Sequence, residues 1–347
     1  MVDLSAGDGM GTISGAVITG NQIIGENLTD SATYGVTLRG DIENALITDN
    51  TISNVDIGIW VRPGLGTSPV CPSISNDISE NQITPVTTNV MNDCTSGSID
   101  VSPNWWGSIL GPAAGSFSGT AVYDPWCGDA ACSFLVSATE PAESGFYVQD
   151  GELRVKGNIN IPGGIVINEP HLTILLEDGT VIQNNSPCFI VDASYTTITT
   201  ESIGGAKCVP TDGSNGIDVA AGLSNITIEG IEFDGTGQTT GDGIRFAGAV
   251  QDIVLVDNYM HDLDSDGIEF AGDAAEVVNI QGNMFKNNTG FGINNLGTTT
   301  VGAEYNSWGN VGGPAAGDGV NGPVTSTPFT HARSEERRVG KECRSRW

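Results

Sequence analysis

Basic side chains are scarce in this sequence. Its 347 residues include 13 Lys and Arg against 42 Asp and Glu, which gives a formal net charge of −29 at pH 7. Nucleic acids and anionic membrane surfaces are bound through clusters of basic residues. Before residue 333 the sequence has no such cluster, so neither class of partner is expected. The acidic excess is typical of a soluble secreted or surface protein.

Histidines and long apolar runs are also few. The three histidines, His171, His261 and His331, are not spaced as a ligand pair, so no zinc cluster is expected. No run reaches the ~18 apolar residues of a membrane span. No secretory leader precedes the first repeat-like residues, and we therefore expect a fragment that is open at both ends.

The last fifteen residues differ abruptly from the rest. Residues 333–347 hold six of the 13 basic and three of the 42 acidic residues, which leaves 7 against 39, or −32, for the remainder. We interpret this segment as translated sequencing-adapter sequence, an artefact that takes no part in the fold.

Short repeats fill the central sequence. Segments beginning with Gly-Ile start at Gly216, Gly243, Gly267 and Gly292, at spacings of 27, 24 and 25. A period in the twenties is typical of stacked coils. Between them, runs such as Ile226-Thr-Ile228 alternate apolar and polar residues, which predicts strands with one face inward.

Asparagines and large apolar residues recur with the same period. Asn tolerates the left-handed backbone of a sharp corner, and stacked Asn side chains can bond from coil to coil. The asparagines are Asn21, Asn50, Asn81 and Asn104, then Asn258, Asn283 and Asn306. Two positions after these asparagines lie Ile23, Ile52, Ile83 and Trp106, then Met260, Phe285 and Trp308. Together with Phe233, one coil before Met260, they form two predicted internal columns.

One longer motif occurs twice, 202 positions apart. Residues 104–115 and 306–317 share the pattern Asn-x-Trp-Gly followed by Gly-Pro. Each copy ends an internal column, and a wide ring followed by Gly-Pro predicts a cap on the last coil. We therefore predict a first unit at 1–132, truncated at its N-terminus, a linker at 133–144 and a second unit at 145–330.

These motifs resemble right-handed parallel β-helix repeat proteins of the pectate-lyase-like superfold. The resemblance covers roughly residues 12 to 330. It implies an all-β fold, a right-handed parallel β-helix or solenoid in two tandem units. It implies no single activity, because that superfold hosts lyases, hydrolases, epimerases, phage spikes and adhesins.

Six cysteines outside the C-terminal segment fall into three local pairs. They are Cys71 with Cys94, Cys127 with Cys132, and Cys188 with Cys208. An even count at short separations predicts disulfides and an oxidising compartment, and so an extracellular or cell-surface location. Buried free thiols are the alternative.

One outward column carries charged residues. Aligning the Gly-Ile segments stacks Asp218, Arg245, Glu269 and Asn294. The resemblance implies a role for such a set, because β-helix lyases use outer-sheet acids and an arginine to bind calcium and abstract a proton. The alternative is a surface ion-pair ladder of little energetic weight.

An aspartate run is the candidate calcium site of the sequence. Asp262, Asp264 and Asp266 precede Gly267. Proteins bind hard cations such as Ca²⁺ through several carboxylates that converge at a glycine turn. A plain Asp-rich turn is the alternative. His261, beside this run, is interpreted as a coil-corner residue.

Trp60 is the candidate binding residue of the first unit. Thr37-Leu38-Arg39 aligns with Trp60-Val61-Arg62, which places Trp60 outward beside Arg39 and Arg62. An exposed Trp there would face an acidic sugar or a partner protein. The alternative is that it packs under the loop at 64–72.

The leading hypothesis is a non-catalytic extracellular or cell-surface module that serves as a rigid structural or adhesive surface. Carbohydrates or surface proteins are its candidate partners, and its cofactor is none or Ca²⁺. The alternative is a calcium-assisted lyase or epimerase of acidic polysaccharides that uses Arg245, Asp218 and Glu269.

Overall fold

The computed structural model describes residues 1–6, 11–25, 32–65, 69–73, 75–84, 87–95, 97–315 and 318–330. The segment 333–347 and His331 lie outside these residues. Within them the regular structure is β-strand, apart from one 3-10 turn at Gly313–Ala315. No helix in the described ranges has the length and apolarity needed to cross a membrane. The chain divides into two compact units, Met1–Glu140 and Pro141–Trp347.

The first unit stacks short parallel strands in several sheets. Its main sheet has the order β1-β5-β9-β12-β14, and narrower sheets are formed by β3-β7-β10 and β4-β8-β11. The strands are β1 Val2–Ser5, β2 Ile13–Ser14, β3 Val17–Thr19, β4 Gln22–Ile24, β5 Tyr34–Arg39, β6 Ile42–Glu43, β7 Leu46–Thr48, β8 Thr51–Ser53, β9 Ile57–Arg62, β10 Asp77–Ser79, β11 Gln82–Thr84, β12 Thr88–Asn92, β13 Ile99–Asp100, β14 Phe117–Ser118, β15 Ala121–Val122, β16 Trp126–Cys127 and β17 Leu135–Ser137. β16 and β17 pair antiparallel.

The second unit begins with an antiparallel hairpin, β18 with β19, and then coils in parallel. Its strands are β18 Gly145–Gln149, β19 Glu152–Lys156, β20 Asn158–Ile159, β21 Ile165–Ile167, β22 Thr173–Leu176, β23 Val181–Asn184, β24 Phe189–Val191, β25 Thr196–Thr200, β26 Lys207–Pro210, β27 Ile217–Val219, β28 Ser224–Glu229, β29 Glu232–Asp234, β30 Ile244–Phe246, β31 Val250–Val256, β32 Tyr259–His261, β33 Ile268–Phe270, β34 Ala274–Gln281, β35 Met284–Lys286, β36 Ile293–Asn295, β37 Val301–Gly302, β38 Val320–Asn321 and β39 Val324–Thr325.

Three sheets of this unit form the faces of the coil. Each coil passes through them in the same sequence, and we call them the long sheet, the middle sheet and the third sheet. Their parallel strands are β19-β22-β25-β28-β31-β34 in the long sheet, β20-β23-β26-β29-β32-β35 in the middle sheet and β21-β24-β27-β30-β33-β36-β38 in the third sheet. Successive coils contribute one strand to each sheet, and their pairing is parallel. The chain is therefore an all-β parallel solenoid, as the repeats predict.

The core follows the predicted columns. In the middle sheet Phe233 pairs with Met260 and Met260 with Phe285, and the Phe285 ring stacks on Trp308 with centroids 4.9 Å apart. All four side chains are fully buried. Strands continue to pair beyond Trp308, because β38 joins β36 and β39 joins β37. That the two tryptophan motifs act as caps stays a prediction.

The asparagine columns are hydrogen-bonded ladders. The Nδ2 of Asn283 donates to Oδ1 of Asn306 at 3.1 Å, and Asn258 donates in the same way to Asn283 at 3.0 Å. The predicted reason for asparagine at the corner was wrong in one respect. Except at Asn104, which follows Pro103, the left-handed residue is the one before the asparagine, such as Asp257 with φ 55° and Gly282 with φ 70°. Asparagine is there for its amide.

The three cysteine pairs are disulfides, as predicted. Cys71 joins Cys94, Cys127 joins Cys132, and Cys188 joins Cys208 with a Cα–Cα distance of 6.1 Å. Cys188 and Cys208 belong to adjacent coils but not to adjacent strands, because Cys208 lies in the middle sheet and Cys188 precedes the third sheet. The bond crosses the interior, where both residues are fully buried.

Candidate functional site

An aromatic pair stands at one corner of the second unit. Four residues with positive φ lie two positions before the outward residues of the long sheet: His171, Tyr195, Asn225 and Asp252. Asn and Asp reach this conformation at low cost, whereas a bulky Tyr is a genuine outlier. The rings of His171 and Tyr195 stack with centroids 4.5 Å apart. Tyr195 is 50% exposed.

An open depression begins at Tyr195 and crosses the long sheet. It is lined by Tyr195, Thr197, Asn225, Thr227, Asp252 and Val254. Thr197 and Thr227 are paired neighbours on consecutive strands, so their hydroxyls repeat at the strand spacing of about 4.8 Å. We call this surface the Tyr195 groove. It combines an aromatic face with hydroxyl, amide and carboxylate groups that can orient a polar ligand.

A second cluster lies on the outer face of the middle sheet. β26, β29 and β32 alternate inward and outward residues, so Lys207, Glu232, Asp234 and His261 all point away from the core. Lys207 Nζ lies 2.7 Å from Glu232 Oε1 and 3.1 Å from Asp234 Oδ2. His261 Nε2 lies 3.2 Å from Glu232 Oε1, and its Nδ1 lies 2.8 Å from Asp262 Oδ2. We call these five residues the Lys207 cluster.

Mutual pairing sets the protonation of this cluster. Burial acts to lower the pKa of His261, but hydrogen bonds to Glu232 and Asp262 outweigh it and raise the pKa. Burial acts to raise the pKa of Glu232, but hydrogen bonds from His261 and Lys207 hold it below its ordinary value. The hydrogen bond to Glu232 raises the pKa of Lys207. The cluster is therefore a network of charges that stabilise one another.

Sequence reasoning missed this cluster. His261 is the last residue of β32, is buried and directly precedes Asp262, which has φ 55°. Its interpretation as a coil-corner residue did not include the contacts of its ring. The cluster residues lie directly beside a column that the repeats did predict. Phe233 and Met260 point inward, so the residues before and after each of them point outward. Reading those flanks in register would have placed Asp234 beside His261.

The charged column of the third sheet has the predicted register. Asp218 pairs with Arg245, Arg245 with Glu269, and Glu269 with Asn294. The Nε of Arg245 donates to Oε1 of Glu269 at 3.1 Å, and Asp218 accepts from Asn215 at 2.7 Å. The arginine is thus engaged by a neighbouring carboxylate. A catalytic role for this column stays a prediction.

The three aspartates of the predicted calcium site have separate partners. Asp262 bonds to His261, Asp264 accepts from the backbone N–H of Thr240 at 3.2 Å, and Asp266 accepts from that of Phe291 at 2.6 Å. Asp266 is buried, whereas Asp262 is partly exposed. The calcium site stays a prediction.

Trp60 has the predicted neighbours. Thr37 pairs with Trp60 and Arg39 with Arg62. The guanidinium of Arg62 lies 3.8 Å from the centre of the Trp60 ring, and Trp60 Nε1 donates to Asp93 at 2.7 Å. The indole is half-buried and occupied by these contacts. A ligand at Arg39, Trp60 and Arg62 stays a prediction, and the loop proposed to cover Trp60 lies partly outside the described residues.

Similarity to a known protein family agrees with the coil geometry. The stacked parallel strands define a β-solenoid. Residues 144–307 match the family model of the right-handed β-helix region. This part of the second unit is therefore similar to right-handed parallel β-helix repeat proteins. No curated protein matches the chain.

Proposed function

We propose that the chain is a non-catalytic β-helix module that works outside the cytoplasm and binds neutral glycan chains in the Tyr195 groove. The observation that carries this proposal is Tyr195 itself. It is an exposed aromatic at a position that the next two coils fill with Asn225 and Asp252. Three disulfides support the location, because they persist in oxidising compartments.

The backbone of Tyr195 is the reason to look for a ligand there. A bulky residue in the left-handed region costs on the order of 1 to 3 kcal/mol, and such outliers cluster at functional sites. Stacking on His171 offsets part of that cost. The stacked ring offers an apolar face to a sugar, and its hydroxyl remains available to water or a ligand.

The rest of the groove favours a neutral, linear ligand. Thr197 and Thr227 repeat one hydroxyl per coil, which suits a chain of similar units lying along the sheet. Asp252 lines the groove, and the net charge of the protein is strongly negative, so a polyanionic glycan would be repelled.

A glycan array followed by calorimetry tests this function. The protein should bind neutral β-linked or α-linked glucans, mannans or xylans, and Tyr195→Ala should abolish that binding. Tyr305→Ala is the matched control, because Tyr305 is 52% exposed with φ 62° but does not line the groove. Binding that survives Tyr195→Ala, or no binding to any glycan, would sink the proposal.

The second candidate is a calcium-assisted lyase or epimerase of acidic polysaccharides. The stacking of Asp218, Arg245 and Glu269 in register favours it. Incubation with pectate and alginate plus calcium would produce ultraviolet absorbance from unsaturated uronate ends, and Arg245→Ala would remove it. Such a signal would replace the non-catalytic proposal, whereas its absence on both substrates would eliminate the lyase.

A further inference from the structure

The Lys207 cluster lies on the middle sheet and takes no part in the Tyr195 groove, which lies on the long sheet. We propose that Glu232, Asp234 and His261 bind a divalent transition-metal ion of the Zn²⁺ type, and that Lys207 is the cation that occupies the site when the ion is absent. This inference is independent of glycan binding.

The spacing of the ligand atoms fits such an ion. One atom from each of the three residues lies within 4.8 Å of the others. Zinc bonds to nitrogen and carboxylate oxygen are about 2.0 to 2.2 Å, so tetrahedral ligands lie about 3.3 Å apart. His261 Nε2 is 3.2 Å from Glu232 Oε1 and 3.9 Å from Asp234 Oδ1. An ion would need only small side-chain rotations to reach all three.

The orientation of the imidazole is a separate indication. Asp262 lies 2.8 Å from Nδ1 of His261, which directs Nε2 toward Glu232 and Asp234. A carboxylate on the far nitrogen is the usual partner of a metal-bound histidine, because it fixes the ring and increases the basicity of the ligating nitrogen. Asp262 would be a positioning residue and not a ligand.

Lys207 explains how two close carboxylates are held without an ion. Its ammonium contacts both of them, at 2.7 Å and 3.1 Å. The lysine side chain is 39% exposed, whereas that of Glu232 is 9% exposed. Lys207 can therefore swing into solvent while the ligands stay in place. The incoming ion displaces this ammonium and any proton between His261 and Glu232.

A mixed carboxylate and imidazole set selects the kind of ion. Calcium prefers six to eight oxygen ligands, and here the set includes a nitrogen. Imidazole with carboxylates suits zinc and other transition metals. Histidine spacing in the sequence cannot reveal the site, since its ligands come from two successive coils.

Titration of the metal-free protein with Zn²⁺ by calorimetry, and with Co²⁺ by visible absorption, tests the site. We expect one ion per chain and d–d bands typical of four-coordinate Co²⁺. His261→Gln should lose binding, and Asp262→Asn should weaken it about tenfold. Lys207→Gln should bind about fivefold more tightly, as expected for removing one half-exposed competing ion pair.

Lys286→Gln is the matched control for Lys207. Lys286 is exposed and follows His261 in the same column, so its removal changes the charge nearby without freeing the two carboxylates. Weaker or unchanged binding in Lys207→Gln, or full binding in His261→Gln, would overturn the site. If His261→Gln fails to fold, comparison of the two lysine variants still decides. Tyr195→Ala should leave metal binding unchanged, which separates this result from the glycan test.

Discussion

Single asparagines contribute to stability through bonds that no other side chain can replace. Asn283 is fully buried, and its amide donates to Oδ1 of Asn306 and to the carbonyl oxygen of Leu255. Its own Oδ1 accepts from the backbone N–H of Asn258 at 3.0 Å. Removing this amide leaves several buried polar groups without partners, each costing about 1 to 3 kcal/mol.

Asn283→Ala should therefore lower the free energy of unfolding by about 3 kcal/mol or more in chemical denaturation. Asn21→Ala is the comparison, because Asn21 occupies the exposed first position of the equivalent ladder. It should cost under about 1 kcal/mol. Equal losses at the two positions would contradict the view that burial makes the ladder essential.

A second corner ladder carries like charges. The backbone N–H of Asp266 donates to Oδ1 of Asp242 at 3.0 Å, and that of Asp242 donates to Oδ1 of Asn215 at 2.7 Å. Burial raises the pKa of Asp266 despite hydrogen bonds from Phe291 and Asn294, and the charge of Asp242 raises it further. An acid with a raised pKa in the folded state binds its proton more tightly there than in the unfolded chain. Its contribution to stability therefore falls as pH rises from 3.8 through the raised pKa.

Asp242→Asn should stabilise the protein at pH 7 by roughly 0.5 kcal/mol, because it removes a like charge next to Asp266. The amide oxygen of the new residue can accept the same hydrogen bond, as Asn215 does one coil earlier. The gain should disappear as pH falls below 3.8, because Asp266, whose pKa is raised above that value, is then protonated and carries no charge to be repelled. Asp212→Asn, at an exposed position with φ 56°, should change stability little at either pH. A gain that is independent of pH would refute the charge explanation.

At the level of the element, internal columns hold the coils together. Trp308 is fully buried against Phe285, and its Nε1 has no hydrogen-bond partner among the described residues. Its contribution is thus packing alone.

Trp308→Ala should lower the free energy of unfolding by about 3 to 5 kcal/mol. Trp308→Phe keeps the stacked ring and removes the unpaired N–H, so it should cost about 1 kcal/mol or less. Thermal unfolding of the two variants measures the difference, and similar losses would show that the indole N–H is satisfied.

The same elements show what the sequence can and cannot predict. The register of Phe233, Met260 and Phe285 followed from spacing, because inward positions tolerate few residue types. The Lys207 cluster was missed because its outward positions share no residue type from coil to coil, as Lys207, Glu232 and Tyr259 show, so no repeat marks them. The Tyr195 groove was missed for another reason. Its corner position is defined by a positive φ, and Tyr is a residue from which that conformation is not expected.

At the level of the whole molecule, the chain separates into two compact units at Glu140 and Pro141. This division falls inside the segment predicted as a linker. Each unit has its own asparagine ladder and its own internal column, so each has the parts of a cooperative folding unit. Two separate units should unfold in two transitions.

The disulfides allow each transition to be assigned. Cys71–Cys94 lies in the first unit and Cys188–Cys208 in the second, with sequence separations of 23 and 20. Loops of this length predict a loss of about 3 kcal/mol when either bond is removed. In scanning calorimetry, replacing Cys188 and Cys208 by Ala should lower one melting temperature, and replacing Cys71 and Cys94 should lower only the other. If either pair lowers both temperatures together, or if one transition accounts for the whole enthalpy, the two units unfold as one cooperative unit and the expectation of two transitions is wrong.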